Sequence, residues 1–223
     1  MDEFANRFGL DYKKAVSKND AIFKGTKFRI TVMSEFLVRL DYSESGSFED
    51  RPTELARFRD FEVPKFLVTQ DDKNLHIKTS YFELIYEKDK PFTGTKFSPD
   101  QYFKVKLLDT DKVWFFTQAE ARNFKSTATS LDDMLMLPKL EKGLYSTDGF
   151  VSLDDSKSLI FNQDGSVGKR TDDRIDVYLF MYRKDFGFCL KDYYRLTGYP
   201  PLIPRYALGV WWNRDEAYDV NEI

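Results

Sequence analysis

The sequence has very few of the residues that usually carry nucleophilic catalysis or covalent cross-links. Among its 223 residues it has one histidine, His76, and one cysteine, Cys189. A single cysteine excludes an internal disulfide framework and is compatible with a reducing compartment. One histidine and one distant cysteine also exclude a zinc site of the His/Cys type, and a Ser-His-Asp triad would depend on His76 alone. We therefore expect neither a metal nor a cofactor.

Long apolar runs and an excess of one charge are missing as well. No apolar run approaches the roughly 20 residues that cross a bilayer, and the opening MDEFANRFGLDYKK lacks the basic end and apolar centre of a secretory signal. Lys and Arg number 34 against 37 Asp and Glu, so no basic field attracts nucleic acid or an anionic membrane. These absences predict a cytoplasmic protein that binds neither nucleic acid nor membranes. They favour sugars or other neutral ligands.

Apolar residues make up 42% of the sequence and aromatic residues 17%, which is enough for a sizeable core. They alternate with polar residues at Phe28, Ile30 and Val32, and again from position 36 to 42. A period of two predicts two half-buried strands. The same pattern predicts strands at 66–70, 75–88 and 102–108, at the end of KVWFF, and in FVSLDD, SLIFNQDG and DVYLFMY. Many short alternating strands predict a mainly β fold, a large antiparallel β-sandwich.

The pattern changes at Asp185. In DFGFCLKDYYRLTG the apolar residues have a spacing closer to that of a helix, which predicts a short helix over about 185–197. Gly198 can end this helix, and the prolines of YPPLIP prevent its continuation. In YALGVWW, residues 206–212, the apolar residues do not alternate, which is typical of a strand buried on both faces. We therefore predict a β-sandwich domain at 1–199 and the start of a second domain at 200–223.

Two potentially reactive side chains have ordinary structural interpretations. His76 falls between Leu75 and Ile77 in an alternating strand, so we expect it on the exposed polar face. Cys189 lies beside Phe188 and Leu190 on the predicted helix. Since nothing nearby in the sequence would lower the pKa of its thiol, we expect a buried structural cysteine and not a nucleophile.

Adjacent acidic residues also occur near predicted turns: Asp71 and Asp72, Asp154 and Asp155, and Asp172 and Asp173. Carboxylates that act together on a glycosidic bond lie roughly 5 to 9 Å apart across the substrate, which depends on the fold and not on adjacency in sequence. We therefore interpret these pairs as solvated turn formers. NQDGSVG, residues 162–168, lacks the context of a phosphate loop and is predicted to be a hairpin.

The aromatic residues near the end of the chain have two interpretations. Trp211, Trp212 and Tyr218 cluster after the predicted buried strand, where an aromatic face could stack on a sugar. Packing in a core is the alternative. Since neighbours on a strand face opposite ways, Trp211 and Trp212 cannot both line one cavity.

Three passages are more specific. They are FRITVMSEFLVRLDYSESGSFEDRPTELA (28–56), NFKSTATSLDDMLMLPKLEKGLYSTDGFVSLDDSKSL (123–159) and DFGFCLKDYYRLTGYPPLIPRYALGVWWNRDEAY (185–218). The passage 28–56 resembles the opening β domain of glycoside hydrolase family 31, the α-glucosidase and α-xylosidase family. The passage 123–159 resembles the long loop of that family and the segment after it. The passage 185–218 is similar to the one that enters the first strand of the family's catalytic (β/α)8 barrel, and the order also matches.

This resemblance implies a galactose-mutarotase-like sandwich, a short helix and the first strand of a truncated barrel. It also implies a retaining, exo-acting α-glycosidase for an α-linked oligosaccharide or glucoside, in which one aspartate is the nucleophile and another is the acid and then the base. In the family both carboxylates come from later barrel strands, and a complete barrel takes about 250 residues. We therefore expect this chain to lack both groups, to be inactive alone, and to have the remainder of the barrel as its partner.

The resemblance also implies which residues contact the substrate. The first barrel strand of the family ends at the mouth of the barrel, where active sites lie. This places four residues beside the sugar-binding pocket: Trp212, Asn213, Arg214 and Tyr218. The long loop reaches toward the same mouth in the family. Residues 145–150, with Asp148, are therefore another candidate for the pocket wall.

Two features depart from the family's pattern. Asp215 stands where members often have an aromatic residue, and NFKST stands where relatives tend to carry glycine. Two other functions stay open: a free-standing carbohydrate-binding β-sandwich, and a purely structural or interaction domain. A homo-oligomer is left open as well.

Overall fold

Two five-stranded antiparallel sheets form the body of the protein in its computed structural model, which describes residues 10–127, 135–136, 138–170, 173–210 and 219–221. The strands are β1 (Ile22–Lys24), β2 (Phe28–Val32), β3 (Leu37–Tyr42), β4 (Leu67–Gln70), β5 (Asn74–Lys78), β6 (Phe82–Glu87), β7 (Phe103–Leu107), β8 (Val113–Phe115), β9 (Val151–Asp154), β10 (Ile160–Phe161), β11 (Val167–Gly168) and β12 (Ile175–Phe180). The first sheet has the order β1-β2-β3-β12-β9 and the second the order β4-β5-β6-β7-β8, while β10 and β11 pair separately.

The core lies between the inner faces of the two sheets. Alternate residues of β2, β3 and β12, such as Phe28 and Leu40, pack against alternate residues of β5, β6 and β7, such as Leu84 and Val105. The rings of Phe28 and Tyr86 meet edge to face across this core, with centroids 4.9 Å apart. The apolar residues of the alternating strands therefore lie inside, as the alternation predicts. The predicted large antiparallel β-sandwich is confirmed.

Strands β2 and β3 differ from the prediction that they are half-buried, because every residue in both strands is buried. A separate apolar cluster covers the outer face of the first sheet, where Ala56, Phe61 and Leu196 pack near Tyr178 and Leu37. Alternation persists in these strands because the outer positions are polar or charged. Burial of the outer face thus depends on segments outside these two strands, one of them near the end of the chain.

Most of the predicted strands are confirmed, with shifts of a few residues at their ends. The run 75–88 is two strands, because the chain turns at Thr79. The Thr79 N–H donates to the carbonyl of Phe82 at 2.9 Å, and its hydroxyl accepts the Phe82 N–H at 3.1 Å. The short β1 was not predicted. The hairpin at 162–168 is confirmed, with Gly165 at φ 86°, a conformation that favours glycine.

The predicted helix is confirmed as α1 (Phe186–Thr197). Cys189 and Leu196 lie on its buried stripe together with an acidic residue, Asp192. Gly198 ends the helix as expected: its φ is 95°, and its N–H donates to the Tyr194 carbonyl at 2.8 Å. Within the described ranges, no helix is long and apolar enough to cross a bilayer.

The predicted strand at 206–212 is wrong for residues 206–210, and residues 211–212 lie outside the described ones. Arg205–Leu208 form one turn of 3-10 helix. A buried strand requires neighbouring strands, and in the part of the chain that the structure describes, no strand pairs with this segment. Large apolar side chains in this segment and just before it are exposed: Leu202 is 97%, Tyr206 81% and Val210 99% accessible.

Candidate functional site

The long loop that the resemblance assigns to the pocket wall begins and ends as two paired segments. Asn123 pairs with Ser146 and Ser126 pairs with Glu141 in antiparallel bridges. The Asn123 side chain strengthens this pairing, because its Nδ2 donates to the Gly143 carbonyl and its Oδ1 accepts the Gly143 N–H, both at 2.8 Å. An amide side chain can do both at once. Residues near 122 are therefore held beside residues 146–148.

Asp148 lies in a turn that a buried tyrosine holds. The Tyr182 hydroxyl accepts the N–H of Ser146 at 2.6 Å and donates to the Ser146 carbonyl at 3.3 Å. The N–H of Asp148 donates to Ser146 Oγ at 2.9 Å. Gly149 follows at φ 79°, in the left-handed region that favours glycine, and its carbonyl accepts the N–H of Arg183 at 2.8 Å. These bonds fix the position from which the Asp148 side chain projects.

The Asp148 side chain lines a cleft of about 440 Å³. Its Oδ1 lies 3.5 Å from Lys112 Nζ and 3.8 Å from Arg122 Nη1. At these distances, and with partly exposed partners, the two ion pairs are weak. The cleft is also lined by Lys96, Asp111, Val113, Phe115 and Phe150. The Asp148 carboxylate can accept a hydrogen bond from a ligand hydroxyl, and the Lys and Arg side chains can donate hydrogen bonds to the same ligand. The cleft therefore suits a polar neutral ligand.

The structure describes only part of the predicted site. Trp212, Asn213, Arg214 and Tyr218, with Trp211 and Asp215, lie outside the described residues. Within the candidate segment 145–150, Asp148 and Phe150 line the same cleft. Tyr145 is directed elsewhere, since its ring packs edge to face on Phe186 of α1 at 5.1 Å. The assignment of the predicted residues to a substrate pocket stays a prediction.

Another polar cluster, here called the outer-face network, was not predicted. It lies on the outer face of the first sheet and consists of Arg29, Arg39, Asp41, Arg59, Asp155, Arg170 and Asp176, all of them buried or with buried side chains. Arg170 Nη2 lies 3.1 Å from Asp155 Oδ2 and 2.9 Å from Asp176 Oδ2. The opposite charges at 29, 39 and 41 on the polar faces of two neighbouring strands were the signal that could have revealed it.

Asp155 corrects the prediction that the acidic pairs are solvated. Asp154 does behave as a turn former: it is exposed and accepts the N–H of Ser156 at 2.9 Å. Asp155 is fully buried and accepts the Thr53 hydroxyl at 2.8 Å. The physical reason is that Asp155, the residue after β9, is directed toward the buried arginines of the outer-face network and not toward solvent. Adjacent acidic residues therefore have opposite environments.

Burial and mutual charge shift the pKa values in this network in opposite directions. Burial, and then the negative charge of Asp176, raises the pKa of Asp155 to about 6. Burial alone would also raise the pKa of Asp176, but the charge and hydrogen bonds of Arg39, with the charges of Arg59 and Arg170, hold it well below its ordinary range. Since each carboxylate of the network lies within 3.1 Å of an arginine nitrogen of the same network, we interpret the network as a structural element.

Several other predictions can be compared with the structure. His76 is exposed on β5, and Cys189 is fully buried, as expected. Asp71 is a solvated turn former whose Oδ1 accepts two backbone N–H groups at 2.7 Å. Asp72 and Asp173 are exposed, and residue 172 lies outside the described residues. The described ranges contain no group of three or more His, Cys, Asp or Glu residues that could hold a metal ion.

No family model matches this chain, and no curated protein matches it. Among solved structures, the chain is similar to a mutant GH31 dextranase of Flavobacterium johnsoniae complexed with isomaltotriose, with TM-score 0.46, 16% identity, 84% of this chain covered and 28% of the dextranase. It is also similar to this dextranase complexed with glucose, with TM-score 0.43, 13% identity and the same coverage of 84% and 28%. The chain thus spans less than a third of the length of these dextranases.

Proposed function

We propose that this chain is the N-terminal β-sandwich segment of a retaining α-glycosidase of glycoside hydrolase family 31, which hydrolyses terminal α-linked sugars in the cytoplasm. Three passages that resemble the family, in the family's order, support this proposal. The catalytic nucleophile and the acid/base would come from barrel strands that follow this segment. The chain's own roles would be to support the barrel and to form part of the active-site wall.

The observation that carries the proposal is the exposed apolar segment after α1. Most large apolar residues of the central strands are buried, whereas Leu202, Tyr206 and Val210 are exposed within one short segment. Contiguous exposed apolar side chains usually mark a surface that packs against something else. In the family this passage enters the barrel, which would cover these side chains. Pro204 and its neighbours would direct the chain away from the sandwich.

Asp148 is the described residue that we assign to the substrate wall. Its turn is held by Tyr182, and its carboxylate lines a cleft with Lys112 and Arg122. A carboxylate and two cations around one opening can orient several hydroxyl groups of a sugar. Trp212 would add a stacking surface from the barrel side.

The test uses the whole protein encoded by the gene, assayed on 4-nitrophenyl α-glucoside with the β-anomer as control. We expect release of 4-nitrophenol from the α-anomer alone, and proton NMR should show that the first sugar released keeps the α configuration. Hydrolysis of neither compound, nor of isomaltose or maltose, by the correctly folded protein would refute the enzymatic function. It would also favour a binding or structural role for the sandwich.

The wall role has a separate test. Asp148→Asn should raise KM by about tenfold with a smaller change in kcat, because a charged hydrogen bond to the bound sugar is weakened. Asp72→Asn, at an exposed turn of the sandwich, is the matched control and should leave both constants unchanged. Unchanged kinetics in Asp148→Asn would remove the residue from the wall while leaving the enzymatic proposal intact.

A further inference from the structure

Another cavity, of about 310 Å³, lies at one end of the sandwich where α1 meets the β2–β3 and β5–β6 turns. Helix α1 contributes Phe188, Lys191, Asp192 and Arg195, which are spaced i, i+3, i+4 and i+7 and therefore share one face of the helix. The cavity is at the lower end of the volumes typical of small-molecule sites. It shares no lining residue with the Asp148 cleft.

Asp192 is the unusual residue of this cavity. It occupies the buried stripe of α1 between Cys189 and Leu196, where the pattern calls for an apolar side chain, and it is only 3% exposed. Its Oδ1 lies 3.8 Å from Arg195 Nη1, while no donor among the described residues hydrogen-bonds its buried Oδ2. Burial raises the pKa of this carboxyl group, and the Ser34 hydroxyl and the Arg195 charge offset only part of that rise. A buried acceptor oxygen without a partner is uncommon and invites a hydrogen-bond donor from a ligand.

Aromatic rings form one wall of the cavity. The ring of Phe36 lies 5.3 Å from that of Tyr81 and stacks on that of Phe188 at 6.0 Å. Tyr81 is held in place because its hydroxyl donates to Asp185 Oδ2 at 2.9 Å and the Arg183 guanidinium lies 3.9 Å from its ring centroid. The wall is therefore a preformed apolar surface on which a flat ligand face can stack.

Charges of both signs surround this wall. Glu35, Glu62 and Asp192 can accept hydrogen bonds, and Lys191 and Arg195 can donate them. A cationic ligand would meet two positive side chains, and an anionic ligand would meet three negative ones. Hydroxyl groups both donate and accept, so a neutral polyhydroxy compound can satisfy both kinds of group. The apolar C–H face of a pyranose ring fits the aromatic wall at the same time.

We propose that this cavity binds one neutral pyranose unit, with a sugar hydroxyl donating to Asp192 and the ring stacked against the Phe36, Tyr81 and Phe188 wall. This is a saccharide site of the sandwich itself, separate from the Asp148 cleft. It goes beyond the proposed function because it requires neither the barrel nor catalysis. A full-length protein without glycosidase activity would leave the inference standing.

The test is a nitrogen-15 NMR titration of the 223-residue chain with methyl α-glucopyranoside and isomaltose, and separately with choline as a cationic probe. We expect the saccharides to shift backbone resonances near Phe36, Tyr81 and α1, and choline to have little effect. Asp192→Leu restores the apolar stripe of α1, so it should fold with an unchanged or higher unfolding temperature. It should also weaken saccharide binding by at least about tenfold.

Two further variants keep the result decisive. Asp192→Asn retains the size of the side chain and should weaken binding too, even if Asp192→Leu fails to fold. Asp148→Asn, in the other cleft, should leave the shifts around α1 intact. The inference is overturned if neither saccharide shifts these resonances, if choline shifts them as strongly, or if binding is unchanged in every Asp192 variant that folds.

Discussion

Arg39 on β3 and Asp176 on β12 form a buried bidentate ion pair between two strands that are neighbours in the sheet and 137 residues apart in sequence. Arg39 Nε donates to Asp176 Oδ1 at 2.9 Å and Nη2 donates to Oδ2 at 2.8 Å. Asp176 stands directly opposite Asp41 in the strand register. Like charges placed opposite each other repel. The positive charge of the Arg39 guanidinium offsets this repulsion and so stabilises the strand pairing.

Asp176→Asn should lower the free energy of unfolding by about 3 to 5 kcal/mol, because it leaves the buried Arg39 charge without its main partner. The double variant Arg39→Met with Asp176→Leu removes both charges and should cost less than the single change. Urea unfolding of the two variants and the wild type measures both values. A double variant no more stable than Asp176→Asn would contradict the view that the unpaired Arg39 charge causes the loss.

Titration of Asp155 should make the free energy of unfolding depend on pH. Its pKa in the folded protein is raised to about 6, above an ordinary value of about 4. The folded state therefore binds this proton more tightly than the unfolded chain does, and the contribution of Asp155 to stability falls as the pH rises from about 4 to about 6. Relative to Asp155→Asn, the wild type should lose about 1 to 3 kcal/mol across this window.

Urea unfolding at a series of pH values measures this difference. Asp176 acts in the other direction, because its pKa is lowered in the folded protein. Its contribution is present above an ordinary pKa of about 4 and is lost at lower pH. A difference between the wild type and Asp155→Asn that stays constant between these pH values would contradict the inferred environment of Asp155.

Gly149→Ala should destabilise the protein by about 1 to 3 kcal/mol. Gly149 has φ 79°, and a Cβ atom there would lie 2.6 Å from the carbonyl oxygen of Arg183. Gly187→Ala is the matched control: it lies in α1, and apart from its chain neighbours and the backbone of its own helix nothing lies within 4 Å of an added Cβ. That variant should be neutral or more stable by up to about 1 kcal/mol. Thermal unfolding followed by circular dichroism compares the two, and equal effects would show that the turn at Asp148 is not constrained.

The Cys189 thiol should be unreactive in the folded protein. It is fully buried on α1, and burial raises the pKa of the thiol above its ordinary range, so little of the reactive thiolate is present. Labelling with Ellman's reagent should be at least about a hundredfold slower in buffer than in denaturant, because the reagent reaches the thiol only when α1 detaches from the sheet. Rapid labelling of the native protein would show that α1 detaches easily from the sheet.

Local patterns predicted much of the fold. Period-two alternation predicted β2, β3 and most of the other strands, and the spacing of apolar residues with Gly198 predicted α1 and its end. The failures share one cause. At Thr79 a hairpin interrupts an alternating run, and at 206–210 an apolar run that is typical of a buried strand forms a 3-10 turn. In both cases the local conformation depends on which other segments pack beside the run. The alternation of apolar and polar residues contains no information about those segments.

The candidate site shows the same division. The resemblance assigned Asp148 to a pocket wall, but only the structure placed Arg122 beside it, through the pairing of Asn123 with Ser146, and Lys112 from the β7–β8 turn. The buried Asp192 and the fate of Asp155 were not predicted. The burial of both residues depends on segments that pack on the outer face of the first sheet. The residues next to Asp155 and Asp192 in sequence do not indicate this packing.

The sequence by itself determined the type of most elements, the inner face of the sandwich and the turn at Gly165, because alternation, helical spacing and an Asp-Gly pair act over a few residues. The tertiary structure decided that β3 pairs with β12, that β2 and β3 are covered on both faces, and that Arg39 meets Asp176. These outcomes depend on packing between segments that are not neighbours in sequence, separated by 137 residues in the case of Arg39 and Asp176. There the burial of apolar side chains and the pairing of charges between segments, and not local conformational preference, select the arrangement.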